Sequence, residues 1–287
     1  MEKSLWEGCA VSQYFDLNKQ ISHLAIDKSI MFKHEELGEA EKLLRDTNYR
    51  NFVSCSKVNF AEYFEPNLVM YKTATFREWR NYFEMDCRVS QYLMKNLIKF
   101  ERTINSRLSH VMSEMMENDE FSSFEKNALI QRIQAWQRGV QRLEPHEEIK
   151  DPYDGSKTWE LIPKMTFGAM KQFLFWIYDK KQNKYFEIVK GYTFLEKPKK
   201  AKNKLDELNR LRNNLAHFRP LTIYLIHGST RYKPKMRRDI LDNTYRKEIV
   251  DFVFNLSPNK YTLSAKEKIF ESSDNYVKIK NSQHNVG

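Results

Sequence analysis

Glycine and proline are scarce in this chain, with eight of each in 287 residues. A fold of many short strands needs frequent turns built on those residues, so a β-rich architecture is not expected. Cysteine is scarcer still: Cys9, Cys55 and Cys87, an odd number with no C-x-x-C pair. That fits neither a disulfide framework nor a zinc site, and a reducing cytoplasm is the expected home. No window approaches the roughly eighteen uninterrupted apolar residues of a membrane span. The opening MEKSLWEGCAVSQYFDL has no apolar signal core either, so neither secretion nor membrane insertion is expected. A glycine-rich phosphate loop, a nucleophile elbow, H-E-x-x-H and EF-hand spacing are all missing. His23, His34, His110, His146, His227 and His284 stand without metal partners. No metal and no cofactor are expected.

What remains is a globular composition, 41% hydrophobic and 30% charged, with Leu, Lys, Glu, Met and Phe plentiful. Those residues favour long helices and can fill a core, so the expected fold class is all-α. Forty-eight Lys and Arg against 38 Asp and Glu leave a formal charge of +10. Such a field attracts polyanions, nucleic acid first and acidic membrane surface second.

Along the chain, residues 35–49 carry Leu37, Ala40, Leu43 and Leu44 at helical spacing, and the stretch from there to about Lys72 reads ambiguously. From Thr75 onward, Leu93, Leu97, Phe100, Ile104, Leu108, Val111 and Met115 recur at steps of four and three, which predicts one helix of many turns. A second helix is expected over 123–143. A long surface loop follows, punctuated by Pro145, Pro152 and Asp154-Gly155. Thr166 can cap a helix running to about Lys180. The run from Lys197 to Lys204 holds five lysines in eight residues, just ahead of a helix bearing Leu205, Leu208, Leu211, Leu215 and Phe218 that Pro220 stops. A basic cluster, a helix through Tyr245 to Leu256 and a polar tail prone to fray complete the chain. The expected domains are a mainly helical region at 1–74, a helical domain at 75–260 and a tail at 261–287.

On the Leu205 to Phe218 helix the leucines set one face, and Asn209, Arg212, Asn213, Ala216 and His217 fall on the opposite arc. Asn213 and His217 stack one turn apart, Arg212 has the reach to converge on them, and Ala216 leaves space for a ligand. An imidazole can move the proton of a ribose 2′-OH, and a guanidinium can offset charge developing on phosphorus. Metal-free RNA cleavage would use such a group. The same spacing also fits a structural role, with Arg212 paired to a carboxylate such as Glu101 while Asn213 and His217 satisfy the helix C-terminus.

The segment LNRLRNNLAHFRPL resembles the R-N-x-x-x-H signature of HEPN domains, carried here by Arg212, Asn213 and His217. The chain resembles in particular the Abi-like abortive-infection proteins of bacteria, of the AbiD and AbiF type. Three further segments follow that pattern in order: AEKLLRDTNYRNF, TFREWRNYFEMDCRVSQYLMKNLIKFERTINSRLSH and WELIPKMTFGAMKQFLFWIYDK. The sequence departs at Asn214-Leu215, where a Cys often precedes the Ala-His, and at Phe218-Arg219, where a second His or Gly is frequent. The resemblance implies a HEPN-type helical bundle with an N-terminal helical extension, RNA as ligand, and metal-independent endoribonuclease activity with a role in phage defence. Some relatives work with a small non-coding RNA.

HEPN domains often set a polar residue from an earlier helix beside the Arg and His; Glu101 or Asn105, one turn apart, would suit, although a solvated pair fits the same spacing. Lys197, Lys199, Lys200, Lys202 and Lys204, with Arg231, Lys233, Lys235, Arg237 and Arg238, could grip phosphates, and Tyr224 and Tyr232 could stack on unpaired bases. Relatives that cleave RNA commonly bring two signatures together, and this chain has one, so a homodimer is expected to complete the site. The alternatives are a non-catalytic RNA-binding protein, for instance one bound to a small non-coding RNA, and a protein-interaction scaffold.

Overall fold

A computed structural model of the protein describes residues 16–65, 68–118, 162, 165–227 and 243–284. In chain order the elements are α1 (Leu17–Asp27), β1 (Ile30–Met31), α2 (Glu36–Asp46), α3 (Tyr49–Phe60), β2 (Ala61–Glu65), β3 (Leu68–Tyr71), β4 (Ala74–Thr75), α4 (Phe76–Glu117), α5 (Phe167–Lys180), α6 (Gln182–Val189), α7 (Pro198–Ala216), α8 (Leu221–His227), α9 (Thr244–Asn255) and α10 (Lys260–His284). Among the described residues the strands are short, and the fold class is all-α, as expected. The helix expected over 123–143 and the loop after it lie outside the described residues.

Helix starts follow from side chains that satisfy free backbone N–H groups. Asp16 accepts from Lys19 N at 2.8 Å, Asn48 accepts from Arg50 N and Asn51 N, and Thr166 Oγ1 accepts from Ala169 N at 3.2 Å. The longest helix opens on a reciprocal capping box: Glu78 Oε2 accepts from Thr75 N at 2.7 Å, and Thr75 Oγ1 accepts from Glu78 N at 3.2 Å. These hydrogen bonds to Thr75, the backbone one first, hold the Glu78 carboxyl below the usual range. From there α4 runs 42 residues, about 63 Å, with Val89, Leu93, Leu97, Phe100, Ile104 and Leu108 all buried on one stripe.

The chain divides into two compact units. The first comprises residues 1–90, 218–244 and 260–287, and the second 91–217 and 245–259. In the first unit, Phe52, Phe60, Tyr71, Phe76, Trp79 and Phe83 make an aromatic core with Leu24, Ala40 and Leu44. Phe60 stacks on Trp79 with ring centroids 5.1 Å apart, and Phe52 meets Phe83 edge-on at 5.6 Å. β2 and β3 form an antiparallel hairpin with a bulge between Ala61 and Tyr63, and β1 pairs in parallel with β4 through Ile30 and Ala74. α10 packs against α3, α8 and β2. The expected fraying tail is instead this 25-residue helix, because Lys266, Ile269, Phe270, Ser272, Ser273 and Tyr276 recur at steps of three and four and are all buried.

Among the described residues, the second unit is built from the remainder of α4 with α5, α6, α7 and α9. Phe100 lies among Phe167, Tyr192, Phe194 and Phe252 at centroid distances of 5.0 to 6.4 Å. α5 packs on α6 and α7. Asn96 Nδ2 donates to Val253 O at 3.0 Å, and Arg107 donates to Ile188 O at 3.0 Å and Lys190 O at 2.6 Å, which ties down the chain after α6. α7 begins earlier than expected: Pro198 takes a first-turn position that suits its missing N–H, so every lysine of the run after the N-cap Lys197 lies within the helix rather than ahead of it.

Asp86 is the main polar anchor of the first unit. It is fully buried on α4, where its carboxylate accepts from Leu221 N at 2.7 Å, Thr222 N at 2.8 Å, Thr222 Oγ1 at 2.5 Å and Ser90 Oγ at 3.1 Å. A side chain remote in sequence therefore caps α8 in place of a local residue, and its negative charge meets the positive end of the helix. Burial raises the carboxyl pKa, while the hydrogen bonds from Thr222, Leu221 and Ser90 act in the opposite sense. Tyr82 Oη lies 3.3 Å from the same Thr222 hydroxyl. Asp86→Ala would remove the acceptor of two backbone N–H groups and two hydroxyls. Urea unfolding of this variant is expected to show a loss of about 2–4 kcal/mol; a loss under about 0.5 kcal/mol, within the range of ordinary surface changes, would contradict the anchoring role.

Candidate functional site

The polar arc of α7 and a short stretch of α4 meet within the second unit. Arg212 Nε lies 3.8 Å from Glu101 Oε2, with the Arg side chain 34% and the Glu side chain 15% exposed. That separation is an ion pair and not a hydrogen bond, and Arg212 Nε is buried without a hydrogen-bond partner. A donor left in this condition costs about 1–3 kcal/mol, and the part of the side chain that reaches solvent lies elsewhere on the guanidinium or its stem. Burial raises the Glu101 carboxyl above its ordinary range, and the Arg212 charge opposes that shift.

One turn along α4, Asn105 is 7% exposed, and its Oδ1 is buried without a hydrogen-bond partner. Asn213 is exposed on α7. His217 stands at the helix C-cap, where its backbone N–H reaches Asn213 O at 3.2 Å and its side chain is exposed. The structure therefore joins Arg212 to Glu101, sets Asn105 one turn from Glu101, and presents Asn213 and His217 to solvent at the end of the same helix.

The basic residues divide into several groups. Lys197 and Lys202 are exposed. Lys204 is half-buried, 3.9 Å from Glu248 and 5.9 Å from the Phe194 ring centroid, so its charge is partly engaged within the unit. Nothing is described of the Lys199 and Lys200 side chains. Arg231, Lys233, Lys235, Arg237 and Arg238 lie outside the described residues, as does Tyr232. Tyr224 cannot serve as a stacking surface: it is 1% exposed, because α8 turns that face into the core.

A brace behind the site went unforeseen. Glu207 is 5% exposed, with Arg210 Nη1 at 2.8 Å and Arg246 Nε at 3.9 Å, and beside it Lys171 pairs with Asp206. These contacts fix α7 against α5 and α9. A signal did exist in the sequence: at about 100° per residue Glu207 falls roughly 40° from Leu211, a carboxylate placed among leucines. Cysteine chemistry finds no opening among the described residues, since Cys55 is buried with its thiol pushed well up by burial, and burial raises Cys87 to about 12. No group of three or more His, Cys, Asp and Glu side chains among the described residues is placed to hold a metal ion. Among the described residues no helix is long and apolar enough to cross a membrane.

Residues 42–222 match the model of the family described as Abi-like protein. No curated protein and no solved structure matches the chain.

The raised Glu101 carboxyl has a direct consequence for stability. A carboxyl whose folded pKa lies above its unfolded value stabilises the fold at low pH, and that stability is lost as pH rises through the folded pKa. Glu101→Gln removes the cost of the ionised form. Its melting temperature is expected to exceed that of the parent at pH 7, the two curves converging below about pH 4, where Glu101 is protonated in both states. A variant that melts lower at pH 7 would show that the pairing with Arg212 outweighs burial.

Proposed function

The chain belongs to the Abi-like family, and from that premise we propose that it is a HEPN-type RNA-binding protein of the AbiD/AbiF kind, acting in abortive-infection phage defence as a metal-independent endoribonuclease. The observation that carries this reading is the Arg212 guanidinium, held beside Glu101 with a buried Nε short of a hydrogen bond, on the helix that ends in an exposed His217. Glu101 restrains the guanidinium without satisfying it. Phosphate oxygens would meet the solvent-reaching part of the side chain.

In the reaction a ribose 2′-oxygen attacks the adjacent phosphorus as its proton passes to a general base. Arg212 offsets the charge that develops on the phosphoryl oxygens, and the bond to the 5′-oxygen breaks as that oxygen takes up a proton. His217 is the proton carrier, Asn213 a donor to the phosphate, and Glu101 and Asn105 position Arg212. The products carry 2′,3′-cyclic phosphate and 5′-hydroxyl ends. Exposed Lys197 and Lys202 extend the positive surface along α7, and RNA is the partner this charge favours. One chain supplies one Arg212 and one His217, so a homodimer brings two sets to a single phosphate.

With EDTA present, the protein is expected to cut RNA to those ends, and His217→Ala to lower the rate by about 100-fold or more while RNA is still bound. Light scattering of the nuclease-treated protein should report a dimer. Undiminished cleavage by the variant removes His217 from the mechanism. Binding without any cleavage in the parent leaves a non-catalytic partner of a small non-coding RNA, and no RNA binding at any salt concentration leaves a protein scaffold.

A further inference from the structure

The first unit carries a cleft of about 470 Å³ lined by Asn59 at the end of α3, Lys72 beyond β3, and Lys268, Glu271, Asn275 and Lys278 on α10. Its apolar floor is Val58, Ala61 and Ile279. The α10 residues recur at steps of three and four, so one face of that helix forms one wall of the cleft. Lys72 is held in register from its own backbone, which donates to Phe60 O at 2.8 Å and closes the base of the hairpin. Ser272 Oγ lies 2.8 Å from both Asn59 Oδ1 and Lys268 O, and with its oxygen turned to Ser272 the Asn59 amide presents its nitrogen as a donor.

Charge is the feature that needs explaining. Three ammonium groups from two elements distant in sequence line one concavity, and none of them makes an ion pair among the described residues. Glu271 is the single carboxylate in the lining. Like charges gathered this way repel one another, and a concave surface concentrates their field on whatever enters. A volume in the range of small-ligand sites, cations that act on phosphate as point charges, amides that donate, and a carboxylate that accepts from hydroxyls together describe the complement of a nucleotide.

We propose that the cleft between α3 and α10 binds a ribonucleotide through its phosphates: Lys72, Lys268 and Lys278, spread along the cleft, attract the phosphate groups, Asn59 and Asn275 donate to the sugar or base, and Glu271 accepts from a ribose hydroxyl. This site is separate from Arg212 and His217 and does not depend on cleavage. The phosphate belongs to a free nucleotide or to a segment of an RNA strand, and the two sources are told apart by the probes. Calorimetry on the full chain uses adenosine triphosphate without magnesium in one arm and a 5′-phosphorylated four-nucleotide RNA in the other. At least one probe is expected to bind with a Kd below about 1 mM. The triple change Lys72→Gln, Lys268→Gln and Lys278→Gln is expected to weaken it by roughly tenfold or more.

A control of equal charge, Lys19→Gln, Lys33→Gln and Lys42→Gln, alters exposed lysines elsewhere in the same unit and is expected to leave the affinity within about twofold. Retention of triphosphate binding alone identifies a free nucleotide, and retention of RNA alone identifies a strand. If neither probe binds, or if the control weakens binding as much as the cleft variant, the site does not exist. All six lysines are exposed, so matching thermal melts of the two variants show that lost binding is not lost folding.

Discussion

A carboxylate removed from water must find its donors inside the protein, and Asp86 finds four. Much of the first unit is arranged around that requirement. The chain from Phe218 to Thr222 is held at both ends: Asn51 Nδ2 donates to Phe218 O at 3.1 Å, and Asp86 receives Leu221 and Thr222. Phe218 accepts a left-handed backbone, φ 52°, while 88% exposed. That conformation ordinarily belongs to glycine, so the surrounding hydrogen bonds offset a cost that the exposed ring cannot repay by burial.

The same helix carries two carboxylates in opposite conditions. Asp86 has its donors supplied by backbone and hydroxyl groups, whereas Glu101 faces a guanidinium at ion-pair distance with the hydrogen bond not closed. Burial raises the pKa of both. The first is committed to holding the fold and the second keeps capacity in reserve. Among the described residues, the groups left short of partners at the site are Arg212 Nε and Asn105 Oδ1, a donor and an acceptor. Elsewhere on α7, Glu207, Asp206 and Lys204 pair with α5, α9 or α7 itself, and Glu207 Oε1, 3.9 Å from Arg246, also lacks a hydrogen bond.

Periodicity made much of this legible. The stripe from Leu93 to Met115 and the Thr166 cap correspond to α4 and α5, because a repeated apolar step and a capping hydroxyl are local properties. Pairing of Glu101 with Arg212 was open to sequence reasoning only as one of two readings, since spacing within a helix says nothing of what faces it. α10 was misread because its buried face includes Lys266, Ser272 and Ser273, which resemble solvent-facing residues until the neighbouring helix is known. Asp86 gave no signal at all. A buried acid is recognisable only from the N–H groups it meets, and those come from residues well over a hundred positions later in the chain.

Each unit is assembled from segments that are not contiguous, and this governs when folding can finish. Synthesis proceeds from the N-terminus at roughly 5–20 residues per second, and early domains usually close while later ones are still being made. Here the first unit lacks α8 and α10 until the second unit has been almost wholly translated, and the second lacks α9 until most of the first exists. Neither core can be sealed on a nascent chain that stops short of α9, and the first still waits for α10 after the second has all its segments. Closure of each unit thus waits on a late helix, α9 for the second and α10 for the first, and a chain ended before α9 holds neither unit complete.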